Sequence, residues 1–82
     1  MAPERQRVTL RLERRASGKI VTVLGGLVLA DADLRGLARE LKTSCGTGGA
    51  VRERGVELQG DCRERVRAWL EARGWRIRGG AS

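Results

Sequence analysis

The sequence predicts a two-layer α+β domain with the order β-β-α-β-β-α-β, in which two helices pack on one face of a mixed, mainly antiparallel sheet. Apolar and polar residues alternate over 7–13, which is typical of a half-buried strand. Apolar positions recur every three to four residues over 31–42 and over 62–73, which indicates two helices. At 82 residues, we expect a single domain over 1–82, with an ordered core at about 7–78.

The first hairpin is predicted from two apolar runs, 8–12 and 20–24, that are joined by the polar turn 13–19. Its tip carries the three cations Arg14, Arg15 and Lys19. We expect this tip to project into solvent with nothing on the chain to neutralise it, which favours an anionic ligand. A solvated turn with ordinary surface charge is the alternative interpretation.

The first helix follows Gly25-Gly26 and a short apolar crossover, with Asp31 predicted as its N-cap. One apolar stripe should face the sheet, formed by Leu34, Leu37, Ala38 and Leu41. The opposite side carries three cations at i, i+4 and i+7, namely Arg35, Arg39 and Lys42. Like charges four residues apart repel each other, so a row of one sign favours a ligand on this face of the helix.

A glycine-rich elbow follows this helix, and Gly46, Gly48 and Gly49 indicate a backbone with positive φ or a close approach that a Cβ would block. Two extended runs, 50–52 and 56–59, flank the turn Glu53-Arg54-Gly55, which predicts a second hairpin. Asp61 then caps the second helix, and Glu64 is placed to complete a capping box.

The second helix is expected over 62–73, and Gly74 ends it. Its buried side is formed by Cys62, Val66, Trp69 and Leu70. A last strand over 75–78 turns Trp75 and Ile77 inwards, so both tryptophans are interpreted as core anchors. Residues 1–6 and 79–82 are expected to be a loose start and a frayed tail.

The composition is strongly basic, since 17 Lys and Arg residues against 10 Asp and Glu give a net charge of +7. Such a surface favours a polyanion, either nucleic acid or an anionic membrane. The apolar run at 20–30 is interrupted by Thr22 and Gly25-Gly26, so we expect no transmembrane segment, and the polar first residues predict no signal peptide. A GC-rich coding sequence is the alternative source of the arginine excess, so the position of the cations matters more than their number.

Catalytic chemistry is hard to place on this chain, and we predict that it is not an enzyme. It has two cysteines and no histidine, which predicts no metal site, no cofactor and a reduced thiol pair, although a disulfide between Cys45 and Cys62 is the alternative. The acidic residues have capping or strand-surface explanations. The elbow follows a helix and leads into a strand, which is the reverse of a phosphate-binding loop. Single-stranded bases often stack on Phe or Tyr rings, and this sequence has neither residue, so no Phe or Tyr platform is expected.

Four motifs resemble the translation initiation factor one family, the Sui-type factors, which has archaeal and bacterial YciH-type relatives. The matching pieces are Leu37-Ala38-x-x-Leu41-Lys42, Cys45-Gly46-x-Gly48-Gly49-Ala50-Val51, Gly55-Val56-Glu57-Leu58-Gln59-Gly60-Asp61-x-Arg63 and Leu70-x-x-x-Gly74. The first hairpin tip is also similar to the family's basic loop. The resemblance covers roughly residues 8–78, and its Glu-Leu-Gln-Gly-Asp segment is the most specific part.

This resemblance implies a cytoplasmic, monomeric factor that binds ribosomal RNA of the small ribosomal subunit near the peptidyl site. It also implies a role in selecting initiator tRNA and the start codon on mRNA. The family's RNA-binding loop and helix correspond here to Arg14, Arg15, Gly18, Lys19, Arg35, Arg39 and Lys42.

Two other functions are compatible with the sequence. One is a general module for structured RNA without preference for the ribosome. The other is a protein-interaction module for an acidic partner, which would use the open face of the sheet through Arg7, Arg11, Arg76 and Arg78.

Overall fold

The structure is a computed structural model that describes residues 8–52, 55–75 and 77–78. Its elements are, in chain order, β1 (Val8–Arg14), β2 (Ile20–Gly25), α1 (Asp31–Cys45), β3 (Gly49–Arg52), β4 (Gly55–Gln59), α2 (Arg63–Glu71) and β5 (Ile77–Arg78). This order confirms the predicted α+β fold. Several predicted features lie outside the described residues. They are the loose start, Arg7 at the beginning of the first strand, the turn residues Glu53 and Arg54, Arg76 of the last strand, and the tail.

The sheet has the strand order β3-β4-β2-β1-β5. Neighbouring strands are antiparallel except for β1 and β5, which run parallel, so the sheet is mixed and mainly antiparallel as predicted. The central strand β2 pairs with β1 on one side and with β4 on the other, which brings Leu10, Leu24 and Val56 into one row across the sheet.

The core lies between one face of the sheet and the two helices. Its fully buried members come from all of these elements and include Val8, Leu10, Leu24, Leu34, Leu41, Val56, Leu58, Val66 and Leu70. The predicted apolar stripe of α1 faces this core, with Leu37 only partly buried at its margin. Trp69 and Trp75 pack against the core while half-buried, which agrees with the predicted role of both as anchors.

A glycine with positive φ follows each helix, as predicted for Gly46 and Gly74. Gly46 comes directly after α1, whereas α2 already ends at Glu71, before the predicted end at Arg73, and Gly74 follows after a turn. Gly46 has φ 63°, and the next amide, that of Thr47, donates back to the Lys42 carbonyl at 3.1 Å. Gly74 has φ 89°, and the amide of Trp75 donates to the Leu70 carbonyl at 3.0 Å. These bonds form Schellman motifs, which satisfy carbonyls that the end of a helix leaves without partners.

The predicted helix starts are wrong in detail. The N-cap of α1 is Ala30, which makes no side-chain cap, and Asp31 is already the first helical residue, although it lies where the helix dipole favours a carboxylate. The N-cap of α2 is Cys62 rather than Asp61. Asp61 still accepts a hydrogen bond from the Arg63 amide at 3.3 Å. The guanidinium of Arg63, which is also hydrogen-bonded to Asp61, lowers the pKa of the Asp61 carboxyl.

The start of α2 is held instead by a threonine on a distant strand. The hydroxyl of Thr22, which is fully buried in β2, donates to the Gly60 carbonyl at 2.7 Å and accepts from the Cys62 amide at 2.8 Å. The Gly60 amide donates to the Ile20 carbonyl at 2.8 Å. The loop between β4 and α2 is therefore fastened to β2 by three hydrogen bonds.

Gly49 is required because two strands approach closely at the start of β3. A Cβ at this position would lie 2.3 Å from the Glu57 carbonyl oxygen and 2.9 Å from Cδ2 of Leu58. We expect Gly49→Ala to lower the free energy of unfolding by about 1–3 kcal/mol, because backbone atoms must shift to admit the methyl group. Urea denaturation measures this loss.

Gly36→Ala is the matched control, since a Cβ on this helical residue meets no atom within 4 Å. Alanine there should leave stability unchanged or raise it by up to about 1 kcal/mol, because alanine favours helix more than glycine does. Equal effects of the two substitutions would contradict the close approach as the reason for Gly49.

Candidate nucleic-acid interface

The hairpin tip is a tight turn that presents cations from both of its sides. The Gly18 amide donates to the Arg15 carbonyl at 3.0 Å, and Gly18 has φ 81°, a conformation that favours glycine. Arg14 ends β1 and pairs with Ile20 at the start of β2. The predicted tip residues Arg14, Arg15, Gly18 and Lys19 are all exposed.

Arg15 does not behave as the sequence predicted, because two carboxylates neutralise it. Its guanidinium lies 3.0 Å from Oε1 of Glu13 and 2.7 Å from Oε2 of Glu57. Glu57 also lies 3.7 Å from Nε of Arg52, and Glu13 pairs with Arg11. The expectation that nothing on the chain neutralises the tip is therefore wrong for this residue.

The ion pairs of Arg15 follow from the strand order. Because β4 pairs with β2, Glu57 lies opposite Val23 on the open face of the sheet, and only β2 separates its strand from that of Glu13. Arg15 folds back from the turn onto this face and links β1 to β4 across β2. Hydrogen bonding to Arg11 lowers the pKa of the Glu13 carboxyl, so that carboxylate is charged at neutral pH.

Arg14 and Lys19 remain the uncompensated cations of the tip. Among the described residues, no carboxylate lies within ion-pair distance of either one. The same holds, within the described part of the chain, for the basic ridge of α1, which consists of Arg35, Arg39 and Lys42. Arg35 and Arg39 are exposed, and Lys42 is half-buried.

The strand register brings the hairpin tip and one end of the basic ridge towards the same end of the sheet. Arg14 pairs with Ile20, and the next residue of β2 pairs with Gln59 at the end of β4. β3 begins at Gly49 beside that end of β4, only three residues after α1 finishes, and Lys42 lies in the last turn of α1. From Lys42 the ridge extends about 10 Å along the helix to Arg35, at 1.5 Å per residue.

The cysteines lie together but are free thiols. Burial, and then the neighbouring Cys62 thiol, raise the pKa of Cys45 to about 11. Cys45 is therefore protonated and weakly nucleophilic at neutral pH.

Neither helix of the described ranges is long and apolar enough to cross a membrane.

Two residues that hold the structure around these elements are not identified by the sequence patterns. Glu57 restrains Arg15 of the hairpin tip, and Thr22 fastens the start of α2. The signals present were the outward position of Glu57 and the polar atom of Thr22 at a core-facing position. Neither signal identifies the partner residue. Arg15, which pairs with Glu57, and Gly60 and Cys62, which bond Thr22, lie far away along the chain.

Comparison with known proteins agrees with the motifs. Residues 4–76 match the family described as translation initiation factor SUI1. The chain is similar to YciH, an uncharacterized protein of Salmonella typhimurium, with 43% identity over 72 residues that cover 84% of this chain and 67% of that protein.

Archaeal proteins are also similar. A protein translation factor SUI1 homolog of Sulfurisphaera tokodaii is 42% identical over 72 residues, covering 88% of this chain and 72% of that protein. A homolog with the same name from Ignicoccus hospitalis is 39% identical over 75 residues, covering 92% and 72% respectively. The family match spans nearly the whole chain, from the first hairpin to the end of the second helix. The chain therefore belongs to the SUI1 family of translation initiation factors.

Proposed function

We propose that this protein binds the small ribosomal subunit near the peptidyl site and assists the selection of initiator tRNA and start codon. The observation that carries the proposal is the convergence of uncompensated cations, Arg14 and Lys19 at the tip and Lys42 on α1, at one end of the sheet. Family membership supports a role in translation initiation. The partners are ribosomal RNA, with initiator tRNA and mRNA nearby, and the protein acts as a cytoplasmic monomer.

The mechanism is electrostatic docking of a rigid domain on folded RNA. Arg14 and Lys19 reach phosphates from the tip, Gly18 lets the turn approach the backbone closely, and the ridge residues follow an adjacent RNA strand. Arg15 has a different part. Because Glu13 and Glu57 hold its guanidinium on the sheet, it restrains the tip and has less charge to offer to a phosphate.

Salt should weaken the binding in proportion to the phosphates engaged. With about four phosphates neutralised, the logarithm of the association constant should fall against the logarithm of salt concentration with a slope of roughly −3 to −4, as in the counterion relation for duplex DNA. Titration of labelled protein with purified small subunits at several salt concentrations measures the slope. A flat response would contradict electrostatic docking.

The position of the charges is tested by removing two at a time. Arg14→Gln/Lys19→Gln should weaken binding to small subunits about tenfold and reduce the salt slope by about 2, since each phosphate contact contributes about one unit of slope. Arg65→Gln/Arg67→Gln on α2 removes the same charge elsewhere and should change affinity less than about threefold.

The comparison separates the proposal from a general affinity for polyanions. Equal losses in the two double variants would show that only net charge matters. Comparable binding of the wild-type protein to an equal mass of unrelated structured RNA would support a general RNA-binding module instead of a ribosomal factor.

A further inference from the structure

A groove of about 620 Å³ runs between α1 and the edge strand β3. Its walls include the small residues Ala38 of α1 and Ala50 of β3, together with Val51. The basic ridge forms one rim, with Asp31 at the N-terminal end of the helix. The volume falls within the range of about 300–1,000 Å³ that small-molecule pockets occupy. The groove therefore combines small apolar walls with a rim that changes from acidic to basic along its length.

The strand that borders the groove has unpaired backbone groups on its outer side. β3 lies at the edge of the sheet formed by the described strands. The Gln59 amide donates to the Gly48 carbonyl at 2.9 Å, so the residue opposite Gln59 is hydrogen-bonded to β4. Bonded and non-bonded pairs alternate in an antiparallel ladder. The N–H and C=O of Gly49 and Val51 therefore point away from β4, towards the free edge.

We propose that this groove receives an unpaired nucleotide of the RNA that the protein binds, an inference that rests on the proposed function. The base lies against Ala38 and Val51, and the outward N–H and C=O of Val51 face its hydrogen-bonding edge. The flanking phosphates lie at Arg39 and Lys42. Sequence-specific recognition of RNA depends largely on unpaired bases that are splayed out of the helix.

Several features favour a nucleotide over an extended peptide as the occupant. The outer edge of β3 offers outward backbone groups from Gly49 and Val51, which is too short for a stable added strand. A base edge needs one donor and one acceptor, which Val51 alone supplies. The chain has no Phe or Tyr, and the planar guanidinium of Arg35 or Arg39 is the remaining surface of this rim on which a base can stack.

The charge distribution also orients the nucleotide. A phosphate near Asp31 would meet a carboxylate, whereas at the other end it meets Arg39 and Lys42, which have no ion-pair partner among the described residues. The phosphates should therefore lie towards the C-terminal end of α1. This is the end that also carries the hairpin tip, so one RNA backbone can contact both.

The test uses RNA stem-loops with one bulged adenosine or uridine and the same stem without the bulge. The 82-residue protein should bind at least one bulged stem about tenfold more tightly than the paired stem, because only the bulged stem presents an unpaired base to the groove. Arg35→Gln/Arg39→Gln removes both guanidinium surfaces of the rim and should abolish this preference, measured as the ratio of the affinities for bulged and paired stems. Arg65→Gln/Arg67→Gln removes the same charge on α2 and should retain it.

Binding to purified small subunits is measured with the same proteins. Wild-type protein that binds subunits but shows no preference for either bulge would overturn the nucleotide site and leave the proposed function standing. Protein that fails to bind subunits would overturn the proposed function itself. A preference that survives Arg35→Gln/Arg39→Gln would place the bulged base elsewhere. Binding of a glutamate-rich peptide that Arg35→Gln/Arg39→Gln abolishes, without any bulge preference, would assign the groove to a protein strand and overturn the inference.

Discussion

Replacing Leu41 by alanine is expected to lower the free energy of unfolding by about 2–5 kcal/mol. Leu41 is fully buried on the face of α1 that packs against the sheet and α2. Removing its isobutyl group leaves a cavity, because close-packed neighbours relax only partly. Since small domains are stable by about 5–15 kcal/mol, this loss is a large fraction of the total. Urea denaturation followed by far-UV circular dichroism measures it.

Leu37→Ala serves as the control on the same helix. It removes the same atoms from a side chain that is only partly buried, so it should cost clearly less than Leu41→Ala. Equal losses at the two positions would contradict the orientation of α1, because they would mean that both leucines are buried to the same extent.

The second large effect is expected for Thr22→Val. Valine has nearly the shape of threonine, but it leaves the Gly60 carbonyl and the Cys62 amide without the hydroxyl that bonds both. A buried polar group that loses its partner costs about 1–3 kcal/mol. Because these two groups are only partly buried, the expected cost of losing both bonds is in the lower part of the summed range, about 2–4 kcal/mol. Chemical denaturation measures the total, and hydrogen exchange of the Cys62 amide reports the local bond.

Thr22→Ser distinguishes the hydroxyl from the methyl group. Serine retains both hydrogen bonds and loses one buried carbon, which costs about 1 kcal/mol. The wild-type protein should therefore be the most stable, the Thr22→Ser variant less stable, and the Thr22→Val variant the least stable. A valine variant at least as stable as the serine variant, with unchanged exchange at Cys62, would show that the hydroxyl does not fasten the start of α2.

Much of the fold could be predicted because its signals are local. The apolar stripe of α1 and the alternation in β1 follow from helix and strand periodicity, and Gly46 and Gly74 mark helix ends through their own backbone requirements. The helix starts were less accurate. A cap from within the segment was expected, yet the hydroxyl at the start of α2 comes from Thr22, on a strand that sequence cannot place beside it.

In the candidate interface, too, local features could be predicted from the sequence and long-range contacts could not. The cations of the tip and ridge were visible in the sequence from spacing alone. That Arg15 is held by Glu57 could not be predicted, because it depends on β4 inserting between β3 and β2. The groove beside β3 likewise depends on which strand lies at the edge. Both features depend on the order of the strands in the sheet, which local sequence patterns do not predict.

The parallel pairing of β5 with β1 has a consequence for how the molecule folds during synthesis. Val8 pairs with Ile77, so the first strand lacks this neighbour until almost the whole domain has left the ribosome. Contacts between such distant residues raise the contact order and slow folding. While the chain is nascent, the outer side of β1 is an exposed strand edge, and a chaperone that shields such edges would find its target there.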